Sequence, residues 1–573
     1  MRAGAVYFTE PAEPAQRRYE ALRAYLVEEA SADDVASCFG YSVPTVYQMA
    51  SELRAGRAGF FLSSKPGPKG PRKAGAIRGR VLALRAKDRS VTEIAAALAA
   101  EGTPVSPQTV WSVLVAEGLE RLPTRPRQAR GPAPRTSPIK SRALGAWPVR
   151  ATIACDHAGL FLLWPAMATL GLDTLVARAR YPGTQALSSW QSMGSLLATK
   201  LLRRARVSHV EDLASDAGVG LALGLTAIPK ATHLSTYSYR VRRECNEALL
   251  ASLAGRMREL GMATGEAGFN LDFHSIRHHG SEVPLEKNYV PCRSQATRSV
   301  LTFFAQDHAS TEMVYANADL TKAEAAREVI AFADYWQRVA GADPGLLVFD
   351  SRLTTYPVLG ELTARGIHWL TLRQRGRSVL AALAALPDKA WKCVRIERAG
   401  RYRTPHLHDE MITIKGIERA VRQIAIRNIG RDEPTLLITN DQTSPAKDLF
   451  ARYAERMLIE NELDAYICGF HLDALSSGLP LNVDLDTTLT VVAGNLYRLF
   501  ARELARYEHA TPDRLYRHFI DATGTLHVAE DHVRVELGVR AYTPVLLEAG
   551  FQELDVPIPW WEGRKLRFSF PAR

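Results

Sequence analysis

Three acidic residues on separate predicted elements could together carry out metal-dependent chemistry. Asp272 lies within an alternating segment, Asp350 ends an apolar run, and Glu460 lies on a predicted helix. Taken singly, each has an ordinary interpretation: a turn cap, a strand-end cap, and an ion pair with Arg456. Taken together, their carboxylate oxygens are hard ligands that suit a pair of Mg²⁺ or Mn²⁺ ions about 4 Å apart. Such a pair can activate a water or a 3′-hydroxyl for in-line displacement at phosphorus.

The predicted helix that carries Glu460 has one polar stripe. At about 100° per residue, five residues fall within roughly 80° of one another: Tyr453, Arg456, Glu460, Asp464 and Ile467. This face offers a carboxylate, a guanidinium and a phenol together. Asp464, one turn beyond Glu460, is the only other acid on the face that could take the same role.

The order of elements around the three acids predicts how they meet. Alternation places Asn270, Asp272 and His274 on one side of a strand. Two more strands, a helix, the strand that ends in Asp350, another helix and another strand follow. A β-rich basic segment, about 377–434, interrupts this alternation before a further strand and the helix of the third acid. We interpret this as the order of an RNase H-like fold, in which the acids converge.

Positive charge is concentrated in the N-terminal quarter of the chain. The 573 residues carry a net charge of +11. Residues 1–145 hold 22 Lys and Arg against 13 Asp and Glu, a net charge of +9, so the other 428 residues carry only +2. A positive field on one module favours a polyanionic partner, and nucleic acid is the commonest one.

Two helix-turn-helix patterns occupy that quarter. In residues 1–60, apolar residues recur at helical spacing on both sides of Gly40, and Ser42 is a candidate cap for the second helix. In residues 76–122 the pattern recurs, and Ser106 begins the corresponding helix. The second helix of each pair would enter a major groove. Two such motifs in tandem favour DNA binding over an ordinary three-helix bundle.

Basic segments rich in proline and glycine follow each motif, at 61–75 and 123–146. The first contains four cations: Lys65, Lys69, Arg72 and Lys73. Such arms commonly lie along phosphates or in a minor groove. A solvated hinge would have the same composition.

The remaining features indicate the compartment and the other domains. Residues 147–265 are predicted to be mostly helical, and 511–573 a small α+β tail. The six cysteines lack metal-site or disulfide spacing, there is no signal-peptide pattern, and no apolar run is long enough to span a membrane. We therefore expect a cytoplasmic, nucleoid-associated protein without a membrane partner.

The spacing of Tyr453, Arg456 and Glu460, together with the order of the acids, resembles the DDE transposases of bacterial insertion sequences. The subgroup that it resembles has a β-rich insertion before the last catalytic helix and the signature Tyr, two residues, Arg, three residues, Glu, six residues, Lys. The resemblance covers roughly residues 150–510, and the tandem head fits a module that binds terminal inverted repeats. Ile467 stands at the Lys position.

The resemblance implies a role for each matching residue. Asp272, Asp350 and Glu460 would be catalytic and bind two Mg²⁺ or Mn²⁺ ions. Tyr453 and Arg456 would contact phosphate near the cut end, where the planar fork of arginine suits two phosphate oxygens.

The resemblance also bears on three tryptophans. An aromatic side chain of the β-rich insertion holds a flipped base in the family, and Trp391 is the candidate, with a core position as the alternative. The tail, residues 511–573, would serve dimerisation in a synaptic homodimer. Equally, Trp560 and Trp561 could close a local core.

The sequence thus predicts a multidomain α/β protein with a tandem helix-turn-helix head, a helical region over 147–265, an RNase H-like catalytic domain over 266–510 and a C-terminal α+β tail. Its expected function is transposition: binding double-stranded inverted repeats, cleaving, and joining 3′-hydroxyls to target DNA. Because Ile467 cannot donate to phosphate, another basic residue supplies that contact, end-holding is weaker, or the copy is decaying or domesticated. The alternatives are a transposase-derived DNA-binding protein without catalysis and an RNase H-like nuclease that cuts without joining.

Overall fold

The chain is a mixed α/β protein that divides into two compact units, Met1–Pro134 and Arg135–Arg573. The computed structural model describes the following residues: 11, 13–55, 74–85, 89–117, 119, 140–277, 285–290, 295–396, 404–430, 433–474 and 480–571. The cations Lys65, Lys69, Arg72 and Lys73 lie outside these ranges.

Within the described residues, the first unit consists of helices. They are α1 (Pro14–Leu26), α2 (Ala32–Phe39), α3 (Val43–Arg54), α4 (Ala74–Arg85), α5 (Val91–Ala100) and α6 (Pro107–Ala116). Helices α1 to α3 share one small core around Val35 and Val46, and α4 to α6 share another around Ile94 and Val110. Each group of three helices therefore has a hydrophobic core of its own, which a separately folded module needs.

Local capping explains where these helices begin and end. Gly40 ends α2 with φ of 71°, a left-handed conformation that favours glycine. The Ser106 hydroxyl accepts a hydrogen bond from the Thr109 N–H at 3.2 Å and so caps α6. Ser42 occupies the N-cap position of α3, as predicted, but its hydroxyl bonds the Thr45 hydroxyl at 2.7 Å and makes no capping bond to the backbone.

The described part of the second unit combines helices with two sheets. The helices are α7 (Trp164–Leu170), α8 (Leu172–Arg178), α9 (Ser189–Leu201), α10 (Ala217–Ala222), α11 (Ala231–Tyr237), α12 (Arg243–Glu259), α13 (Lys322–Ala325), α14 (Glu328–Ala340), α15 (Tyr356–Ala364), α16 (Arg377–Ala384), α17 (Ala446–Ala454), α18 (Met457–Phe470), α19 (Pro480–Glu503), α20 (Pro512–Leu515) and α21 (Thr543–Glu548). The strands are β1 (Ala151–Cys155), β2 (Phe269–Arg277), β3 (Lys287–Val290), β4 (Gln295–Asp307), β5 (Met313–Asn317), β6 (Leu346–Phe349), β7 (His368–Leu372), β8 (Lys392–Cys393), β9 (His406–Ile412), β10 (Val421–Arg427), β11 (Thr435–Thr439), β12 (Gly524–Val528), β13 (His532–Leu537), β14 (Val556–Pro557) and β15 (Lys565–Ser569).

The larger sheet has ten strands in the order β3-β4-β2-β6-β7-β11-β10-β9-β8, with β5 also paired to β4. Strands β5, β4 and β2 are antiparallel, whereas β2, β6 and β7 run parallel. The predicted β-rich insertion adds β8, β9 and β10 to this sheet, and β10 pairs with β11, the strand after the insertion, which lies on the edge of β7. The insertion therefore extends the sheet that carries the acids.

The smaller sheet joins the two ends of the second unit. Its order is β1-β12-β13-β15-β14, so β1, from the predicted helical region, pairs with the first strand of the predicted tail. Trp561 is fully buried, lies 5.9 Å from the Phe161 ring, and donates to the Ala222 carbonyl at 2.9 Å. The described part of the predicted tail, residues 511–571, thus contributes to the core of the unit, and Trp561 closes that core.

Replacing Trp561 by alanine should destabilise the second unit by about 3–5 kcal/mol, the usual cost of removing a large buried aromatic side chain. The control is Trp560→Ala, because Trp560 donates to the same carbonyl at 2.9 Å but is only half-buried. Urea unfolding followed by tryptophan fluorescence measures both. Equal losses for the two variants would contradict the inference that Trp561 closes the core.

The described helices include one buried apolar pair. No single helix in the described ranges is long and apolar enough to cross a membrane. Segments 158–170 and 172–178, which are bent by 57° relative to each other, reach that length and apolar composition only when they are taken together. Phe161 and Trp164 of that pair are fully buried in the protein core. The described cysteines are all unpaired: Cys38, Cys155, Cys245, Cys393 and Cys468.

Candidate active site

Two of the three acids lie side by side on parallel strands. The pairing of β2 with β6 aligns Leu271 with Phe349, so the next residues are Asp272 and Asp350. Neighbouring strands are about 4.8 Å apart, which places the two residues next to each other. Burial, together with the charges of Glu460 and Asp350, raises the pKa of Asp272 to about 6, while Arg456 opposes that rise. Asp272 is therefore close enough to the other two acids for both of their charges to act on it.

The predicted alternation along β2 is confirmed. Phe269 packs against Trp336 of α14 at a ring distance of 4.5 Å. Asn270 and Asp272, on the other face, contact arginines that flank the junction of α17 and α18. The sheet thus separates an apolar face, which anchors the strand, from a polar face, which meets these two helices.

Glu460 reaches the site because α17 and α18 meet at a tight turn. The single helix predicted over 453–467 breaks at residues 455–456, where Arg456 donates its N–H to the Tyr453 carbonyl at 3.0 Å. The Ile459 N–H bonds the Arg456 carbonyl at 3.1 Å, again with a spacing of three residues. Bonds of this spacing are tighter than those of an α-helix and rotate successive side chains further. Tyr453 and Glu460 therefore belong to different helices, on either side of Arg456.

Arg456 bridges two of the acids. Its Nη1 lies 3.3 Å from Asp272 Oδ2, and its Nη2 lies 2.5 Å from Glu460 Oε1. The Cζ atom is 5.9 Å from the centre of the Tyr453 ring. The residue is only 9% exposed, and its Nε is buried without a hydrogen-bond partner. The ion pair with Glu460 exists as the sequence suggested, but it is a partly buried bridge inside the site.

The electrostatics follow from this arrangement. Burial opposes the charge on Arg456, but Asp272, Tyr453 and Glu460 raise the pKa of its guanidinium overall. Burial also raises the pKa of Tyr453 to about 12, with Arg456 opposing and Asp350 and Asp272 adding to the rise. Tyr453 is therefore a neutral hydroxyl at physiological pH, available as a hydrogen-bond donor.

The donor set suits a hard divalent cation, because the three side chains offer only carboxylate oxygens. However, the described residues contain no group of three His, Cys, Asp or Glu side chains positioned to hold a metal ion. The guanidinium of Arg456 takes the place between Asp272 and Glu460 that a cation would need. The carboxylate donors suit Mg²⁺ or Mn²⁺, but in this structure Asp272 and Glu460 are ion-paired with Arg456.

Two polar residues complete the face and were not singled out from the sequence as functional. Arg452, one turn before Arg456, donates from Nη1 to Asn270 Oδ1 at 2.8 Å. Burial lowers the pKa of Arg452 to about 10. The signal was present in the sequence, because Arg452 and Arg456 are spaced by four on helical elements and Asn270 and Asp272 by two on a strand.

His274 and Asp464 are two further polar residues that the sequence places close to the acids. His274 lies on the Asp272 face with its Nε2 buried and unpartnered, and burial lowers the pKa of its imidazole although Asp473 and Asp464 raise it. Asp464 is exposed on α18, whereas Glu462, on the opposite side, is buried against Arg498. Glu460 is thus the acid of α18 that is tied to Asp272.

The proposed base-holding role of Trp391 does not agree with the structure. Its side chain is only 7% exposed and packs with Leu383, Ala425 and Leu436. The Arg427 guanidinium lies 4.5 Å from its ring centre. A base cannot stack on a ring that is already covered, so Trp391 takes the core position that was the alternative.

Cations lie near Ile467, but they are engaged in holding α18. Ile467 is half-buried and packs against the main core. Arg203 donates to the Cys468 carbonyl at 2.7 Å, and Lys200 donates to the Phe470 carbonyl at 3.2 Å. Basic side chains at a helix C-terminus stabilise its free carbonyls and its dipole. In this structure neither cation replaces the missing lysine as a free phosphate contact.

Replacing Asp272 by asparagine should stabilise the metal-free protein at about pH 8, by ~1–3 kcal/mol, because the raised pKa makes the ionised form costly in the fold. The stability that the protonated carboxyl contributes is fully present below about pH 4 and is lost as pH rises through about 6. The gain should therefore fall to less than half at about pH 4.5 and vanish only below about pH 4. Thermal melts in EDTA at both pH values test this, with the exposed Asp464→Asn as control. Destabilisation of Asp272→Asn at the higher pH would show that the Arg456 pair outweighs burial.

The first unit presents two matching surfaces. On α3 the exposed side chains include Tyr47, Gln48 and Ser51, behind which Val46 is buried. On α6 a similar face carries three exposed side chains: Gln108, Ser112 and Val115. The named side chains of both faces are uncharged: polar and aromatic on α3, polar and aliphatic on α6. Known proteins add no identification, since no family model matches the chain and no curated protein matches it at a significant level.

Proposed function

We propose that this chain is a DNA transposase that binds inverted repeats, cleaves DNA and joins the resulting 3′-hydroxyls to target DNA in a metal-dependent reaction. The observation that supports it best is the convergence of the acids. The register of β2 and β6 brings Asp272 beside Asp350, and Arg456 ties Glu460 to Asp272. Three acids from distant parts of the sequence meet with the arginine and tyrosine that the transposase signature pairs with them.

The topology supports the RNase H-like part of the proposal. Along the chain, the antiparallel strands β2, β4 and β5 are followed by helix α14, the acid-ended strand β6, helix α15 and strand β7, and all of these strands belong to one sheet. The insertion follows, and α18 then delivers the third acid to β2. This is the order that the resemblance requires, although topology alone does not define an activity.

The residues of the site have separable tasks. Asp272 and Glu460 would hold divalent cations together with Asp350, and bound cations would supply activation of the attacking oxygen and stabilisation of the leaving one. Arg456 has the planar fork that suits two phosphate oxygens. The neutral Tyr453 hydroxyl can donate to a third. Because Asp272 and Arg456 are mostly buried, their charges act in a medium of low dielectric, where electrostatic interactions are strong.

The first unit would provide sequence recognition. Each group of three helices has its own core, and each exposes a polar face on its third helix. Residues 1–145 carry most of the net charge, which suits a polyanion. These faces would recognise base edges, and nearby cations would bind phosphate.

The test uses the purified full chain, a labelled duplex that carries the end of the element, a supercoiled target plasmid and Mn²⁺. A transposase cuts at the end of the element and produces labelled joined product. Cutting without joined product would indicate the RNase H-like nuclease instead. Tight binding without any cutting would indicate a DNA-binding protein.

The DNA-binding protein without catalysis is the second candidate. Two observations favour it: Ile467 at the lysine position, and Arg456 closed onto two of the acids. Under this function the guanidinium would stay between the carboxylates whether or not DNA is present. The assay above separates the candidates, because this one predicts neither cut nor joined product.

A further inference from the structure

One guanidinium stands where the donors of the proposed metal site would meet. Arg456 contacts Asp272 at 3.3 Å and Glu460 at 2.5 Å. The described residues contain no three-ligand group that could hold a metal ion. The carboxylate donors suit a metal ion, but the Arg456 side chain occupies the position between them.

The contacts differ from those of an ordinary surface ion pair. Surface pairs are worth little because water competes for both partners. Here the Arg456 side chain is 11% exposed and that of Asp272 is 20% exposed. Removing Arg456 would leave the buried carboxylate of Asp272 uncompensated, so the ionised site requires some cation at this point.

The backbone would allow a divalent cation to replace the Arg456 guanidinium while Asp272 and Glu460 keep their positions. Asp272 is held in β2 by its pairing with Phe304 of β4, and the residue before it, Leu271, pairs with Phe349 of β6. Glu460 is fixed in the first turn of α18, whose apolar residues Ile459 and Leu463 are buried. Arg456 lies at the junction of the helices, and its long side chain has several rotatable bonds. It can therefore rotate away while both carboxylates stay in place.

We propose that Arg456 is an exchangeable counter-ion of the site, which holds Asp272 and Glu460 in the DNA-free protein and moves to a DNA phosphate when divalent cations bind. This proposal rests on the proposed function, because it needs both a metal site and a phosphate near it. In the free protein the guanidinium competes with divalent cations for the same oxygens. A phosphate offers the guanidinium a second bidentate partner, so the carboxylates become available to metal.

Linkage gives this exchange a reciprocal consequence. If DNA raises the affinity for metal by some factor, metal must raise the affinity for DNA by the same factor. The protein would bind divalent cations weakly until a DNA strand is present. Metal binding in the absence of DNA would thereby be suppressed by a contact within the site itself.

The test measures Mn²⁺ binding by the full chain from the electron paramagnetic resonance signal of free Mn²⁺, with and without a DNA duplex of mixed sequence. Without DNA, Arg456→Gln should bind Mn²⁺ about 10-fold more tightly than the wild type, within the usual range of coupling between sites. Adding the duplex should tighten binding to the wild type and leave Arg456→Gln almost unchanged. Arg456→Lys, which keeps the charge but not the fork, should behave between the two.

Two further variants separate the possible outcomes. Arg567→Gln, which removes a cation paired with Asp555 on the smaller sheet, should behave as the wild type does. The double variant Asp272→Asn with Glu460→Gln removes two carboxylates of the site and therefore gives the background level of Mn²⁺ binding. Equal or weaker Mn²⁺ binding by both Arg456→Gln and Arg456→Lys would overturn the exchange while leaving the metal site intact. If the wild type, with and without DNA, binds no more Mn²⁺ than the double variant, the proposed function fails together with the exchange.

Discussion

Replacing Glu460 by glutamine is expected to abolish both cleavage and joining. The loss should exceed ~10²-fold, because removing even a hydrogen-bond partner of a metal ligand typically costs about 10–100-fold. Glutamine preserves the size of the side chain and can still accept a hydrogen bond from Arg456, so the fold and the bridge to Asp272 should survive. What disappears is one negative charge. Labelled product on a denaturing gel, compared with the wild type over time, measures the effect.

Asp464→Asn is the matched control for that experiment. Asp464 is exposed one turn further along α18, and it was the only other acid on the predicted stripe. Its replacement removes the same charge from the same helix and should leave cleavage within a few-fold of the wild type. Full loss of activity in Asp464→Asn, with normal activity in Glu460→Gln, would mean that the third acid is misassigned.

Parts of the site were predictable because they depend on short-range patterns. Alternation along β2 placed Asp272 on the polar face, and the apolar run of β6 placed Asp350 at its end. Strand β11, Thr435–Thr439, also forms where the sequence predicts a further strand, between the β-rich segment and the helix of the third acid. In each case the period of two, or a continuous apolar run, reflects burial of the strand itself.

The junction of α17 and α18 was not predictable from periodicity. A helical pattern that runs through residues 455–456 gives no sign that hydrogen bonds there span three residues. A single helical wheel therefore predicted one continuous face. Arg456 still meets Glu460, because both the turn and the first turn of α18 keep side chains spaced by four close together.

Long-range contacts account for the other differences. The pairing of β1 with β12 joins segments that lie at opposite ends of the second unit, and neither five-residue strand specifies a partner. Likewise, nothing local distinguishes a buried Trp391 from one that awaits a base, since its burial depends on Ala425 and Leu436 of later strands. Tertiary packing decides such cases, and a sequence pattern limited to neighbours does not contain it.

Removing residues 1–134 should abolish sequence-specific binding to the ends of the element while leaving the second unit folded. The second unit has its own continuous core and includes all three acids. Specific binding typically exceeds non-specific binding by about 10³-fold or more, so a loss of at least that size is expected. Competition between an end-containing duplex and a duplex of mixed sequence, read by fluorescence anisotropy, measures it. Specific binding that survives the truncation would assign recognition to the second unit.

Lost charge could mimic lost recognition in the truncated protein, so a variant that keeps every charge provides the control. Gln48→Ala combined with Ser112→Ala removes one exposed polar group from each of α3 and α6 and leaves the buried Val46 and Val110 in place. If these faces read bases, the double variant should lose ~1–3 kcal/mol of discrimination for each lost base contact and keep the salt dependence of the wild type. A fall in affinity that is equal on both duplexes, with a shallower salt dependence, would instead make the faces phosphate contacts, and recognition would then depend on other residues of the first unit.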